Sequence, residues 1–167
     1  MLSIALQQVS SKFARDNAAR TLHKPLALKF ITKHLPSIAE RLQTACPSGL
    51  VYVWGAKSER SHQTVKMVVR DSLVLFRQGD TIYKRGVVVE TATSEPLAES
   101  LWGRDEDGQT WPNVFFFATI TDMNHPAARF NKNLGRSETD HWQGLVVLPI
   151  KETEKARAFF ERELGAL

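Results

Sequence analysis

Four tryptophans stand at Trp54, Trp102, Trp111 and Trp142. Three of them adjoin a backbone punctuator: Trp54 precedes Gly55, Trp102 precedes Gly103, and Trp111 precedes Pro112. Aromatic rings at strand ends beside glycine can wall an open pocket, because glycine lets a flat ligand approach the backbone. A nucleobase is such a ligand and stacks well on aromatic faces. Lys57, Arg60, Lys84, Arg85 and Arg104 flank the set and offer charge to phosphate. Taken singly, each tryptophan has core packing as its commoner role. Taken as a set with these neighbours, they point to binding as much as to packing.

The familiar catalytic patterns are missing from the sequence. There is no Gly-x-x-x-x-Gly-Lys-Ser/Thr loop, no Gly-x-Gly-x-x-Gly and no Gly-x-Ser-x-Gly elbow. The five histidines (23, 34, 62, 125, 141) are scattered, and none has metal-ligand spacing. Asp105-Glu106-Asp107, between Gly103 and Gly108, reads as a solvated turn rather than a cation site. Cys46 beside Pro47 reads as an inert thiol rather than a nucleophile. A binding domain with no catalytic centre, metal or cofactor is therefore expected.

The elements that must hold these residues follow from apolar spacing. Leu2, Leu6, Val9 and Phe13 recur at three and four, which predicts a helix over 1–22. Pro25 interrupts it. A second helix is expected over Leu26–His34, and a third from Pro36. Cys46-Pro47-Ser48-Gly49 breaks the pattern. After it come a strand at Leu50–Trp54, a helix over 59–68 and a hairpin of Ser72–Phe76 with Thr81–Val89. A capped helix is expected over Ser94–Trp102, and a strand over Trp111–Thr121. A short helix over His125–Leu134, a strand over Gly144–Ile150 and a closing helix over Lys151–Leu164 complete the chain. Short strands with helices between them predict an α/β (α+β) fold, with a strongly curved sheet or small barrel flanked by helices. The expected division is a basic helical extension over 1–48 and a main domain over 49–167.

Composition agrees with a folded chain: 167 residues, 43% hydrophobic and 24% charged. One cysteine forbids an internal disulfide and points to a reducing, cytoplasmic setting. No apolar run reaches membrane-span length. The amphipathic, slightly basic start resembles some transit peptides, but Asp16 and the continuing helical pattern argue against one. The net charge is +4, and residues 1–46 alone carry +5, from seven Lys or Arg against two acids. Such asymmetry suits a polyanionic partner, or else a solvated helix surface.

The stretch from Leu50 to Ile150 resembles the EVE and YTH-like branch of the PUA-like superfamily, above all the reader domains of modification-dependent (type IV) restriction systems. The residues that carry the resemblance are Trp54-Gly55, Lys66-Met67 before Asp71, the Leu73-Val74-Leu75-Phe76 strand and Gly86-Val87-Val88. The Pro96 to Gly103 helix, Asp105, Gly108, Thr110-Trp111 and Phe115-Phe116-Phe117 follow in order. Asn133-Leu134-Gly135 and Gln143-Gly144-Leu145 extend it. Ser72, where glycine is common, and Pro112-Asn113, where an acidic or bulky residue is usual, depart from the pattern.

The resemblance implies a PUA-like curved β-barrel that receives a modified base flipped out of double-stranded DNA. It implies Trp54 and Trp102 as first wall residues, Trp111 or Phe115 as further ones, and Lys57, Ser58, Arg60 and Ser61 near base edge or phosphate. Asn131, Lys132, Asn133, Arg136, His141 and Trp142 would form a second loop that probes a groove or fills the vacated gap. It also implies a fused or separate nuclease, often of the HNH type. 5-Methylcytosine, 5-hydroxymethylcytosine and N6-methyladenine all remain open as the base. The alternative is a PUA-like module that binds modified or structured RNA. A small-molecule enzyme is disfavoured by the lack of an acid–base pair near the tryptophans.

Overall fold

The computed structural model describes residues 3–58 and 62–165. Strands β1 (Ile4–Gln8), β2 (Leu26–Ala27), β3 (Leu50–Ala56), β4 (Leu73–Gln78), β5 (Thr81–Thr93), β6 (Asn113–Pro126) and β7 (Leu145–Val147) form one sheet. Its order is β2-β3-β6-β5-β4-β1-β7. Only the β1–β4 pairing is parallel among these ladders. Helices α1 (Lys12–Thr21), α2 (Leu28–His34), α3 (Ala39–Ala45), α4 (His62–Met67), α5 (Glu95–Trp102), α6 (Ala127–Leu134) and α7 (Ile150–Leu164) pack around it. The fold is α+β, as the sequence predicts.

Both faces of the sheet are buried, and the period of two along each strand decides which residue meets which layer. Val51 and Val53 of β3, with Val114 and Phe116 of β6, pack under α2, α3 and α5. Ile4 and Leu6 of β1, with Leu73 and Leu75 of β4, pack under α6 and α7, against Phe130, Phe159 and Phe160. The alternate residues, Ala5, Trp54, Val74, Phe76, Phe115 and Phe117, meet inside the concave face, joined by Ala18 and Leu22 from α1 and its end. Each fully buried Phe or Leu side chain contributes about 1.5–3 kcal/mol relative to exposure. Three helical and interior clusters thus hold a bent sheet from both sides.

Two glycines make close packing possible. A Cβ on Gly86 would lie 2.6 Å from Ile120 Cδ1 and 2.7 Å from Phe117 Cδ1. The β5–β6 register shifts at this point, between Gly86 and Val88, where β5 bends. A Cβ on Gly55 would lie 2.4 Å from the Trp102 ring and 2.8 Å from the Trp111 carbonyl oxygen. Gly55 therefore seats Trp102, and that side of its backbone is closed to a ligand.

The start of the chain differs from the sequence expectation. The helix expected over 1–22 is a strand followed by a helix, and Leu2 lies outside the described residues. Ile4, Ala5 and Leu6 are all buried, facing alternate sides between β4 and β7. A five-residue strand with three buried apolar residues and neighbours on both edges outweighs a helical stripe of three or four residues. Ser11 then starts α1 by accepting a hydrogen bond from Ala14 N at 3.1 Å. Leu26–Ala27, expected within a helix, instead pairs with Leu50 and Val51. The sheet thus runs across residue 48, where a division was expected, and takes β1 and β2 from the basic segment. The later elements follow the predicted order, with β6 extended to Pro126.

Candidate functional site

In the sheet order, β3 and β7 lie near opposite ends, yet residues of both line one cleft. The sheet must therefore curl to bring them together. No ladder joins β7 to β2 or β3 among the described residues, so the barrel stays open along this seam. The cleft holds about 830 Å³, within the range of small-ligand sites. Five segments wall most of it. Gln7 and Gln8 end β1, and Ser11, Phe13, Ala14 and Asn17 present one face of α1. Trp54 to Lys57 end β3, and the 105–111 loop with Gln143 to Leu145 closes the rim.

Two of the four tryptophans border the cleft. Trp54 is 3% exposed, and its ring meets Phe76 edge-on at 5.6 Å. Its indole Nε1 is buried with no hydrogen-bond partner. Trp111 is half-buried, with Phe13 tilted against it at 6.2 Å and Lys57 Nζ 5.6 Å from its ring centroid. Trp102 and Trp142 are placed elsewhere. Trp102 packs under α2 and α3, and its Nε1 donates to Thr21 Oγ1 at 3.1 Å. Thr21 in turn donates to the Val53 carbonyl at 2.7 Å, so Trp102 ties α5 to α1 and Thr21 ties α1 to β3. Phe115 lies in the interior cluster beside a second cavity of about 410 Å³ and does not line the cleft.

The expected basic contacts separate by partner. Lys57 enters the cleft but is bonded to Asp105. Asp105 also accepts from Gln109 N at 2.8 Å and from Asp107 N at 3.0 Å. The Lys57 ammonium, followed by the Gln109 amide, holds the Asp105 carboxyl below the usual aspartate value. The acidic turn is thus a fixed rim, not merely a solvated loop. Arg104 bonds Glu95 and Glu99 at 2.8 Å each, and these carboxylates hold its guanidinium well above the usual value. Lys84 pairs with Asp122. Arg85 is half-buried, lies outside the cleft and has an unpartnered Nη1. Ser58 is exposed after β3 and does not line the cleft. Arg60 and Ser61 lie outside the described residues.

The second expected loop is mostly scaffold. Asn131 is fully buried and accepts from Trp142 Nε1 at 2.7 Å. Trp142 is also fully buried, with Arg77 stacked 5.5 Å from its ring. Lys132 pairs with Glu138 at 3.2 Å. Asn133 donates to the Lys155 carbonyl at 3.1 Å, and Arg136 bonds Glu152 and Asp140. His141 is exposed. From this loop it is Gln143 and Gly144 that reach the cleft.

Neither a family model nor a curated protein sequence matches the chain. Its structure, however, superposes on the N-terminal domain of Thermococcus gammatolerans McrB, solved bound to m5C DNA. The TM-score is 0.69 at 16% identity, over 97% of this chain and 99% of that one. The fold is that of the McrB N-terminal domain. Because the match spans nearly the whole chain, the basic N-terminal segment belongs to the shared fold rather than preceding it.

Gln7, Gln8, Phe13 and Asn17 are cleft residues that sequence reasoning missed. The helix assigned to 1–22 hid them, although a polar Gln-Gln pair closing the apolar Ile4-Ala5-Leu6 run was the available signal. Cys46 is buried, and burial raises its thiol above the ordinary value, as an inert cysteine requires. No group of three or more His, Cys, Asp or Glu is arranged to hold a metal ion among the described residues. No helix among them is long and apolar enough to cross a membrane.

Proposed function

We propose that this domain recognises a modified base in DNA by receiving it, flipped from the duplex, in the cleft between Trp54 and the Phe13–Trp111 pair. In this reading it is the specificity element of a modification-dependent restriction system, working with a fused or separate nuclease. The cleft itself carries the proposal. It is large enough for a base and walled by aromatic rings from three separate segments. The likeness to a domain solved with methylated DNA supports the same partner class.

Charge favours a base over a phosphate inside. Glu106 and Asp107 stand exposed at the rim, and Lys57 is already neutralised by Asp105. The outer face of α1 carries Lys12, Arg15 and Arg20, all exposed, beside the cleft residues Phe13, Ala14 and Asn17 of the same helix. Phosphates would follow that face while the base enters. Extrusion costs a few kcal/mol, and stacking returns about 1–3 kcal/mol per base.

The test is binding to one duplex carrying unmodified bases, 5-methylcytosine, 5-hydroxymethylcytosine or N6-methyladenine at fixed salt, with the matching RNA as competitor. A tenfold or greater preference for one modified duplex, lost in Trp111→Ala and Phe13→Ala, is the expected result. Equal binding to all four, unchanged by either substitution, overturns the cleft reading. Stronger competition by RNA transfers it to an RNA partner.

A further inference from the structure

The cleft has two kinds of wall. Trp54, Trp111 and Phe13 supply rings. Gln7 of β1, Asn17 of α1 and Gln143 just before β7 supply carboxamides. Gln7 and Gln143 belong to the β1–β7 end of the sheet and face β3 across the open seam. Gln7 lies two residues after Ala5 and pairs with Phe76 and Leu145. All three of these neighbours pack inside the concave face, so the period of two points the Gln7 side chain there as well.

The carboxamides of Gln7 and Asn17 are deep in the fold yet not fully engaged. Gln7 is 7% exposed and Asn17 5%. Gln7 Nε2 donates to the Gln8 carbonyl at 2.8 Å, while Gln7 Oε1 has no hydrogen-bond partner among the described residues. The Asn17 backbone carbonyl accepts from Thr21 Oγ1 at 3.2 Å, but the Asn17 carboxamide has no such partner. Neither group is among the side-chain atoms sealed from solvent without a partner. Both therefore open onto the cleft that their residues line. Gln143 is exposed at its mouth.

We propose that the base received by this cleft carries a sugar: the base stacks on the rings, and the sugar hydroxyls bond to Gln7, Asn17 and Gln143. This rests on the base-binding reading of the cleft and names its substrate class, a hydroxymethylated base glycosylated on the hydroxymethyl oxygen. A hydroxyl both donates and accepts, as a carboxamide does, and a ring covers the apolar C–H face of a sugar. A lone methyl substituent would instead displace water from the carboxamides and leave them unpaired. Charge excludes an anionic substituent. Lys57, the only cation among the described lining residues, is already held by Asp105, and Glu106 and Asp107 stand exposed at the rim. Those two carboxylates accept from hydroxyls instead. The volume of about 830 Å³ lies in the upper part of the range that encloses drug-sized ligands, which a glycosylated base fills better than a methylated one.

The experiment measures binding of the chain to one duplex carrying cytosine, 5-hydroxymethylcytosine, glucosylated 5-hydroxymethylcytosine or 5-carboxylcytosine at a single position, at fixed salt. The glucosylated duplex is expected to bind at least tenfold tighter than the hydroxymethylated one. Asn17→Leu and Gln143→Ala should each cut that ratio at least threefold. Gln143 is exposed, so its variant tests the carboxamide wall without disturbing the core, and thermal melts confirm that each variant is folded. Equal or weaker binding of the glucosylated duplex overturns the proposal. So does a ratio that holds in either folded variant, or tightest binding to 5-carboxylcytosine. If a modified duplex is still preferred over cytosine, only the sugar assignment falls. If no modified duplex is preferred, the cleft reading falls with it.

Discussion

Asp105 grips Lys57 across the mouth of the cleft, joining the end of β3 to the loop that follows α5. The same carboxylate caps the amides of Asp107 and Gln109, so one side chain sets both the position of the lysine and the shape of the rim. Asp105→Ala should lower the melting temperature and release Lys57. The pH dependence has a definite sign. The Asp105 pKa is depressed on folding from the ordinary 3.8, so its stabilisation is fully present above that value. It is lost as pH falls through the lower folded value. Thermal melts of both proteins should differ by a constant amount above about pH 5 and converge as acid protonates Asp105. A difference that grows on acidification would contradict this latch.

Gly55 and Trp102 form a second coupled pair. Adding a Cβ at Gly55 forces it to within 2.4 Å of the Trp102 ring, and overpacking of this kind costs about 1–3 kcal/mol. Trp102→Ala removes a buried ring and orphans Thr21 Oγ1 as an acceptor, costing about 3–5 kcal/mol. The double variant should lose less than the sum, because deleting the ring opens space for the new methyl group. Denaturant titration of the three variants measures the coupling. Strict additivity would mean that the Trp111 carbonyl, 2.8 Å from that Cβ, provides the main clash.

Much of this architecture was legible in the sequence where side-chain periodicity and local caps agree. Ser94 and Pro96 mark the start of α5, and its side-chain cap to Leu97 N is present at 3.2 Å. Gly79-Asp80 marks the hairpin between β4 and β5. The first strand was not legible, because Ile4–Gln8 is too short to show a period and its partners lie some seventy residues away at Leu73–Arg77. That one error concealed the Gln7–Gln8 and Phe13 walls. The tryptophans illustrate a different limit. Position next to glycine marks both Trp54 and Trp102, yet only the curl of the sheet decides that Trp54 meets the cleft while Trp102 meets α2 and α3. Asn131 and Trp142 looked polar and available in sequence, but they satisfy each other inside the core.

That last pair yields a prediction separating scaffold from contact. Asn131→Leu leaves Trp142 Nε1 buried without its acceptor and should cost about 1–3 kcal/mol of stability. It should leave DNA affinity per folded molecule unchanged at a temperature well below melting. A loss of affinity without a loss of stability would return this loop to the DNA interface.

The salt dependence of binding tells which cations meet phosphate. Arg104 was an attractive candidate in sequence, but two glutamates already hold it. A phosphate would have to displace both, and little counterion release would follow. Lys12 is exposed on α1 next to the cleft residue Phe13, and it pairs with no carboxylate among the described residues. Arg15 shares that outer face, its guanidinium donating only to the Ser10 carbonyl at 2.8 Å among the described partners. Removing one cation that neutralises a phosphate should reduce the slope of log K against log salt by about 0.9. Lys12→Ala and Arg15→Ala should therefore each flatten the slope by up to about one unit, for modified and unmodified duplexes alike. Arg104→Ala should leave it unchanged. Under the proposed function the ratio between modified and unmodified duplexes should persist in all three, because phosphate contacts would position the duplex while the cleft would read the base. The reverse pattern, with Arg104 changing the slope and Lys12 silent, would move the backbone path from α1 to the acidic rim and α5, where two paired carboxylates would first have to give way.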